Sequence, residues 1–326
     1  MTTGSQSRQM DLVTAVAVWA AIVLLAAVYA TWFGFGGKRL ALALGIAASL
    51  FAFEFFLAAP NVLKGVQGSL GNRGRFLAPL VPLFAILVYS VAITCDWKTL
   101  LLGTAFVVTP ALLVAGSANR SPGAWGDYAA VVLLWLPVGF RWMYRVFPYP
   151  PPLTHTLTIL AALSTGVAAF VLLRRLDRIG YAIEWRRSFA WNFGFHFIVF
   201  AAIAIPLGMR LGFLQFDPTL ARVRSLPLAA LGILFFTAWP EEFLFRGVLQ
   251  NMLSRTLKNQ WAGLVAASVI FGFSHILHAP YPNWKYVLLA SIAGLFYGRA
   301  WMKTGSLVPA TLVHALVDIS WHVLFR

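Results

Sequence analysis

Apolar runs of membrane-crossing length recur through this chain from end to end, and its charges fall mostly in the short stretches between them. The runs lie at about 12–33, 40–59, 76–94, 99–116, 128–147, 156–173, 188–207, 226–251, 261–278, 284–301 and 305–325. Each is near the ~20 residues that a helix needs to cross the hydrocarbon. The expected fold is therefore all-α, a polytopic transmembrane helix bundle of about 10–11 spans. Composition agrees: 60% of the residues are hydrophobic and 11% charged, against roughly 25% charged in a soluble domain. Two runs are irregular. Pro137 and Arg141 interrupt the fifth, which reads as a candidate re-entrant segment. The eighth is too long for one straight span, and Pro240 should kink it or begin a new helix.

The net charge of +15 does not imply nucleic acid as a partner. Nearly all Lys and Arg sit in loops between spans, as membrane topology requires, and no basic run is interleaved with aromatics outside the membrane. The dense cluster from Arg174 and Arg175 through Arg186 and Arg187 suits a cytoplasmic loop facing anionic headgroups of the bilayer. The loop charges favour a cytoplasmic N-terminus by a modest margin. The run from Leu12 is too long for a usual signal peptide and reads as an uncleaved first span. A lone Cys95 excludes an internal disulfide framework and reads as a small buried apolar residue. The expected location is an integral, multi-pass protein of the plasma (inner) membrane.

Polarity divides the chain. Residues 1–187 read as an N-terminal transmembrane extension of unknown role, with little buried polarity apart from Glu54 in Phe51-Ala-Phe-Glu-Phe-Phe56. Glu54 is either a proton or ion site, or a bundle-facing carboxyl paired with a Ser, Tyr or Arg. Phe147-Pro-Tyr-Pro-Pro-Pro-Leu153 reads as a stiff connector lying on the membrane surface. Residues 188–326 hold the intramembrane polar groups Glu241, Glu242, Arg246, His275, His278, His314, Asp318 and His322.

An acidic residue at the bilayer centre costs on the order of 2.5–3.5 kcal/mol on insertion scales, and this chain places two side by side at Glu241 and Glu242. Like charges at contact do not both ionise cheaply in a low dielectric. Glu242 and Arg246 are four apart with Glu on the N-terminal side, the favourable orientation for a helical ion pair. Glu241 then points roughly 100° away from that face. One carboxylate can be neutralised by Arg while the other accepts a proton, which is one way to build a general base. Phe271 and His275 are four apart on the next polar span, with His278 one turn further, and His314, Asp318 and His322 are spaced by four on the last. An Asp within reach of a His fixes its tautomer. A carboxylate with two histidines can activate water and stabilise an oxyanion.

The ordered set Glu241-Glu242-x-x-x-Arg246, Phe271-x-x-x-His275 and His314-x-x-x-Asp318 resembles the three-motif signature of the type II CAAX prenyl endopeptidase and bacteriocin-processing (CPBP) intramembrane proteases. The resemblance covers roughly 188–326 and makes that segment a CPBP-like intramembrane protease core. It implies an endopeptidase that hydrolyses a peptide bond with a glutamate- and histidine-activated water. Glu241 would be the base, His275 its partner on the water, and His314 and Asp318 the oxyanion side. Glu242, Arg246 and Phe271 would orient the site. The implied partners are a membrane-embedded or lipidated peptide substrate and the lipid bilayer. One departure stands out: prenyl-protein proteases of the family carry Asn at the final position, where this chain has Asp318. Asp318 can donate to an oxyanion only if protonated, or it can act through His314 by orienting it.

The resemblance implies no cofactor. Glu241, His275 and His314 are also a set able to hold Zn²⁺ with a water in the fourth position, although no H-E-x-x-H motif occurs. Two further functions remain open on the residues alone. A proton-coupled transporter would use Glu54 and the Glu241–Glu242 pair as a relay, and would predict repeat-related broken helices. A non-catalytic immunity or scaffold member of the same family would predict loss of a motif residue.

Overall fold

A computed structural model describes residues 8–32, 36–147 and 151–326. Twelve helices account for nearly all of them: α1 (Leu12–Trp32), α2 (Lys38–Leu57), α3 (Pro60–Gly74), α4 (Leu80–Tyr89), α5 (Trp97–Ser117), α6 (Trp125–Gly139), α7 (Pro151–Gly166, continued by Val167–Leu173), α8 (Arg187–Arg210), α9 (Leu220–Thr256), α10 (Gln260–Phe273), α11 (Trp284–Thr304) and α12 (Leu307–Leu324). Strand structure among the described residues is confined to two-residue segments at Arg8–Gln9 and Glu184–Trp185 and one bridge at Phe216 and Phe325. The fold is all-α, and the protein is an integral membrane protein.

The spans are fewer than the apolar runs suggest. Among the described residues, six helices (α2, α5, α7, α8, α9 and α12) are long and apolar enough to cross a membrane, or seven if the bent pair Pro60–Leu77 and Leu80–Thr94, inclined by 58°, is one span. Apolar sequence also fills shorter helices. α6 stops after 15 residues at Gly139, beyond which Arg141 takes a left-handed conformation. α10 has only 14 residues, because the chain tightens into successive i→i−3 turns from Gly272 onward. α11 is long enough, but Lys285, Arg299 and Lys303 lower its apolarity. The eighth run is a single helix of 37 residues. It passes through Pro240 because π-type stretches, Leu234–Ala238 and Phe243–Gln250, widen it on both sides and absorb the missing N–H. Pro148 to Pro150, the middle of the proline-rich connector, lie outside the described residues.

The chain forms two compact units. Gln9–Leu176 contains α1 to α7. Lipid tails are as apolar as leucine, so helices in a membrane associate through close packing and polar ties, not through the hydrophobic effect. Both are visible in this unit. The last turns of α7, Val167 through Leu173, are buried on every side. Asp127 and Arg174 form a buried bidentate pair, with Nε–Oδ1 at 3.0 Å and Nη2–Oδ2 at 3.2 Å. Asp127 also accepts from the backbone N–H groups of Gly123 and Ala124 before α6, and Arg174 donates to the carbonyls of Ala118 and Arg120 after α5. One ion pair thus ties the α5–α6 turn to the end of α7. Glu54 of α2 accepts from Ser164 of α7 at 2.6 Å, the paired arrangement of the two considered for it. Cys95 is exposed, contrary to the buried reading; it occupies a left-handed residue at the end of the helix that α4 begins.

The unit Asp177–Arg326 contains α8 to α12. Glycines let three of them approach closely. A Cβ at Gly272 would strike Ser291, and one at Gly298 would strike Gln250, so α11 sits against both α10 and α9. A strap ahead of α8 is pinned to the same unit. The Asp177 carbonyl accepts from Asn251 and Arg255, that of Ile179 from the Trp301 indole, and that of Gly180 from the Leu307 N–H. Tyr181 then packs 5.4 Å from the rings of both Trp239 and Phe243 on α9, on either side of the Glu pair.

Asp127→Ala should cost about 3–5 kcal/mol, because it leaves Arg174 buried without its counter-charge. Thermal unfolding of the purified protein in lipid nanodiscs checks this. A melting temperature equal to that of the parent contradicts the structural weight given to the pair.

Candidate active site

The Glu pair lies between the two π-type stretches of α9, each of which rotates side chains relative to a regular helix. Glu242 is fully buried, and Glu241 keeps 31% of its side chain exposed. The two adjacent carboxylates therefore occupy different environments.

Glu242 is held at both oxygens. Oε2 lies 3.1 Å from Nε of Arg246 one turn on, and Oε1 lies 2.8 Å from Nδ1 of His314 on α12. Arg246 is also fully buried; its contact with Glu242 is an ion pair without hydrogen-bond geometry, and none of its three guanidinium nitrogens has a hydrogen-bond acceptor among the described residues. Aromatic faces take that place: the guanidinium lies 4.5 Å from the Phe271 centroid, 5.5 Å from Tyr297 and 5.9 Å from Phe245. Arginine suits such a cage, being planar and more weakly hydrated than lysine.

The pairing with ionised Glu242 makes His314 Nδ1 the donor. Nε2 then faces two other carboxylates, Glu241 Oε2 at 3.9 Å and Asp318 Oδ2 at 3.5 Å. The nearer carboxylate to the ring is Glu242, so the orienting contact expected of Asp318 is made by the residue assigned to hold α9. Tyr297 of α11 stacks on the His314 ring at 4.6 Å and 14°.

His275 stands just beyond the C-terminus of α10, not within a span. The i→i−3 turns that end the helix carry it and His278. Its Nδ1 lies 2.9 Å from the Phe271 carbonyl, which can only accept, so Nδ1 carries the proton and Nε2 the lone pair. Phe271 packs against both imidazoles, with centroids 4.8 Å from His275 and 5.8 Å from His314. His278 is exposed and stacks on His275 at 5.5 Å, and His322 instead meets Ser225 at 3.2 Å. Glu241, Glu242, Arg246, His314 and Asp318 thus form one contiguous set, His275 joins it through Phe271, and His322 lies outside.

Two residues that sequence reasoning did not single out belong here. Tyr297 and Tyr286 are eleven apart on α11, three helical turns, and so share one face. Tyr286 packs 4.6 Å from His275 and 5.0 Å from His278. The recurrence of tyrosines at that spacing was the available signal. Among the described residues no group of three or more His, Cys, Asp or Glu side chains is arranged to hold a metal ion.

Arg246→Ala should lose folded yield and melting temperature, by about 3–5 kcal/mol for breaking a buried pair. Size-exclusion profiles and thermal unfolding in detergent measure it. A variant that folds like the parent would show that the Arg246 cage carries little weight.

Residues 223–320 match the family described as type II CAAX prenyl endopeptidase, Rce1-like. No curated protein and no solved structure matches the chain. The match takes in α10 and α11 whole, together with most of α9 and α12, and every residue of the contiguous set, while Gln9–Leu176 lies outside it. This part of the chain, carrying Glu241, Glu242, Arg246, His275, His314 and Asp318, belongs to the type II CAAX prenyl endopeptidase (CPBP) family.

Proposed function

We propose that the protein is an intramembrane endopeptidase that cleaves a membrane-associated peptide, with Glu241 as the general base. The observation that supports this most is the division of labour between adjacent carboxylates. Glu242 has a partner on each oxygen, and Glu241 is part-exposed, with His314 Nε2 at 3.9 Å from its Oε2.

In this reading a water sits between Glu241 and the Nε2 lone pair of His275. Glu241 takes one proton as the water oxygen bonds to the scissile carbonyl carbon. A proton on His314 Nε2, between Glu241 and Asp318, offsets the negative charge that gathers there. The tetrahedral intermediate then collapses, the C–N bond breaks, and Glu241 returns its proton to the departing amine. No step is routed through a metal. A substrate anchored in the bilayer by its own span or by a lipid would reach the site within the membrane, in keeping with the apolar surroundings of α9 and the family's prenyl-protein chemistry.

The test uses purified protein in lipid vesicles and three quenched-fluorescent peptides. One ends in a farnesylated cysteine plus three residues, one is palmitoylated, and one carries no lipid. The parent should cleave at least one. Glu241→Gln keeps shape but cannot act as a base, and should lower kcat by about 10²–10⁴-fold with the bundle intact. His275→Ala should fall comparably. Undiminished cleavage by Glu241→Gln, or no cleavage of any peptide by the parent, overturns the proposal. Cleavage abolished by a chelator and restored by Zn²⁺ would move the chemistry to a metal.

A further inference from the structure

The candidate site is rich in acceptors and poor in donors. Glu241, Glu242 and Asp318 surround one imidazole. An oxyanion developing on the scissile carbonyl oxygen beside three carboxyl groups needs a hydrogen bond aimed at it. The donors at hand are committed elsewhere. Arg246 is enclosed behind Glu242, and His314 Nδ1 is held by Glu242. His314 Nε2 is shared between Glu241 and Asp318. His275 Nδ1 and the Ser274 hydroxyl both turn to the Phe271 carbonyl. Asp318 stands where an amide would have supplied a donor.

Tyr286 is placed to fill this need. It is in the first turn of α11, whose N-terminus Asn283 fixes by accepting from the Tyr286 N–H at 3.0 Å. Its ring is clamped on several sides, 4.6 Å from His275, 5.3 Å from Trp321 and 5.3 Å from Phe213. The side chain is only part-buried. Among the described residues the O–H has no hydrogen-bond partner. A clamped phenol beside the water-activating imidazole, with its hydroxyl unengaged, is the geometry of a donor waiting for an acceptor.

We propose that Tyr286 is a catalytic residue of this site, its phenolic O–H donating to the carbonyl oxygen of the scissile bond as that oxygen gains charge. The phenol keeps its proton throughout. The hydrogen bond shortens as the water oxygen attacks, and it relaxes when the carbonyl re-forms and the C–N bond breaks. The inference rests on the endopeptidase reading above.

Tyr286→Phe isolates the hydroxyl, since the ring and its contacts with His275, Trp321 and Phe213 are retained. On whichever of the three lipid-vesicle peptides the parent cleaves, this variant should lose about 10²-fold in kcat, with KM and melting temperature unchanged. Asp318→Asn in the Tyr286→Phe background supplies a new amide donor within the same acidic cluster and should recover at least about tenfold of the loss. A kcat within twofold of the parent overturns the proposal, as does a loss confined to KM or accompanied by a lower melting temperature. A double variant no faster than Tyr286→Phe also counts against it. Glu241→Gln assayed alongside separates the two readings. If it is inactive while Tyr286→Phe is normal, only the role of Tyr286 falls. If it is fully active, or if the parent cleaves nothing, the endopeptidase reading falls and Tyr286 with it.

Discussion

A carboxylate with no exposed surface is tolerable only when its charge is answered from within the protein. Glu242 is answered twice, by Arg246 at 3.1 Å on one oxygen and by His314 at 2.8 Å on the other. Much else follows from this pair of contacts. Arg246 places a counter-charge beside Glu242 in a low-dielectric core, and the aromatic rings around it take the place of missing acceptors. His314 is fixed by Nδ1, so Nε2 is directed toward Glu241 and Asp318. Glu241 is thereby relieved of any structural duty. Two neighbouring residues of one type thus sit in different surroundings, because one of them is buried and claimed on both oxygens while the other is part-exposed.

The backbone that permits this is irregular where it needs to be. A regular helix through residues 234–250 would present one narrow stripe to its neighbours. The π-type stretches around Pro240 broaden that face, so consecutive carboxylates reach different surroundings. Gly272 and Gly298 draw α11 in against α10 and α9, and this brings Tyr297 over His314 and Tyr286 over His275. The strap from Asp177 to Tyr181 closes against α9, with its carbonyls satisfied by Asn251, Arg255, Trp301 and Leu307. Lipid supplies no hydrogen bonds, so each of these buried polar groups needs a protein partner.

Much of this was legible in the chain itself. Span-length apolar runs fix an all-α membrane fold, because length and hydropathy act locally. The i, i+4 spacing of Glu242 and Arg246 and of His314 and Asp318 is likewise a local property of helices. Contacts between helices were not legible. Nothing in the spacing says that Glu242, rather than Asp318, would be the nearer carboxylate to His314, because that depends on how α9 and α12 meet. The number of helices able to cross a membrane was overstated because apolar residues also fill short helices such as α6 and α10. The continuity of α9 through Pro240 was missed because proline is ordinarily a helix breaker, and π-type widening leaves no mark in composition. Tyr286 and Tyr297 escaped notice because aromatic residues in an apolar helix usually serve packing alone.

The tautomer of His314 tests the central arrangement most directly. Long-range ¹⁵N–¹H correlations on protein labelled at its histidines, in lipid nanodiscs, report which ring nitrogen carries a proton, and a His314→Gln sample identifies the signal. The account predicts a protonated, hydrogen-bonded Nδ1 on His314, facing Glu242. A bare Nδ1 with the proton on Nε2 alone would contradict it, since Glu242 would then neither orient the ring nor leave Glu241 free.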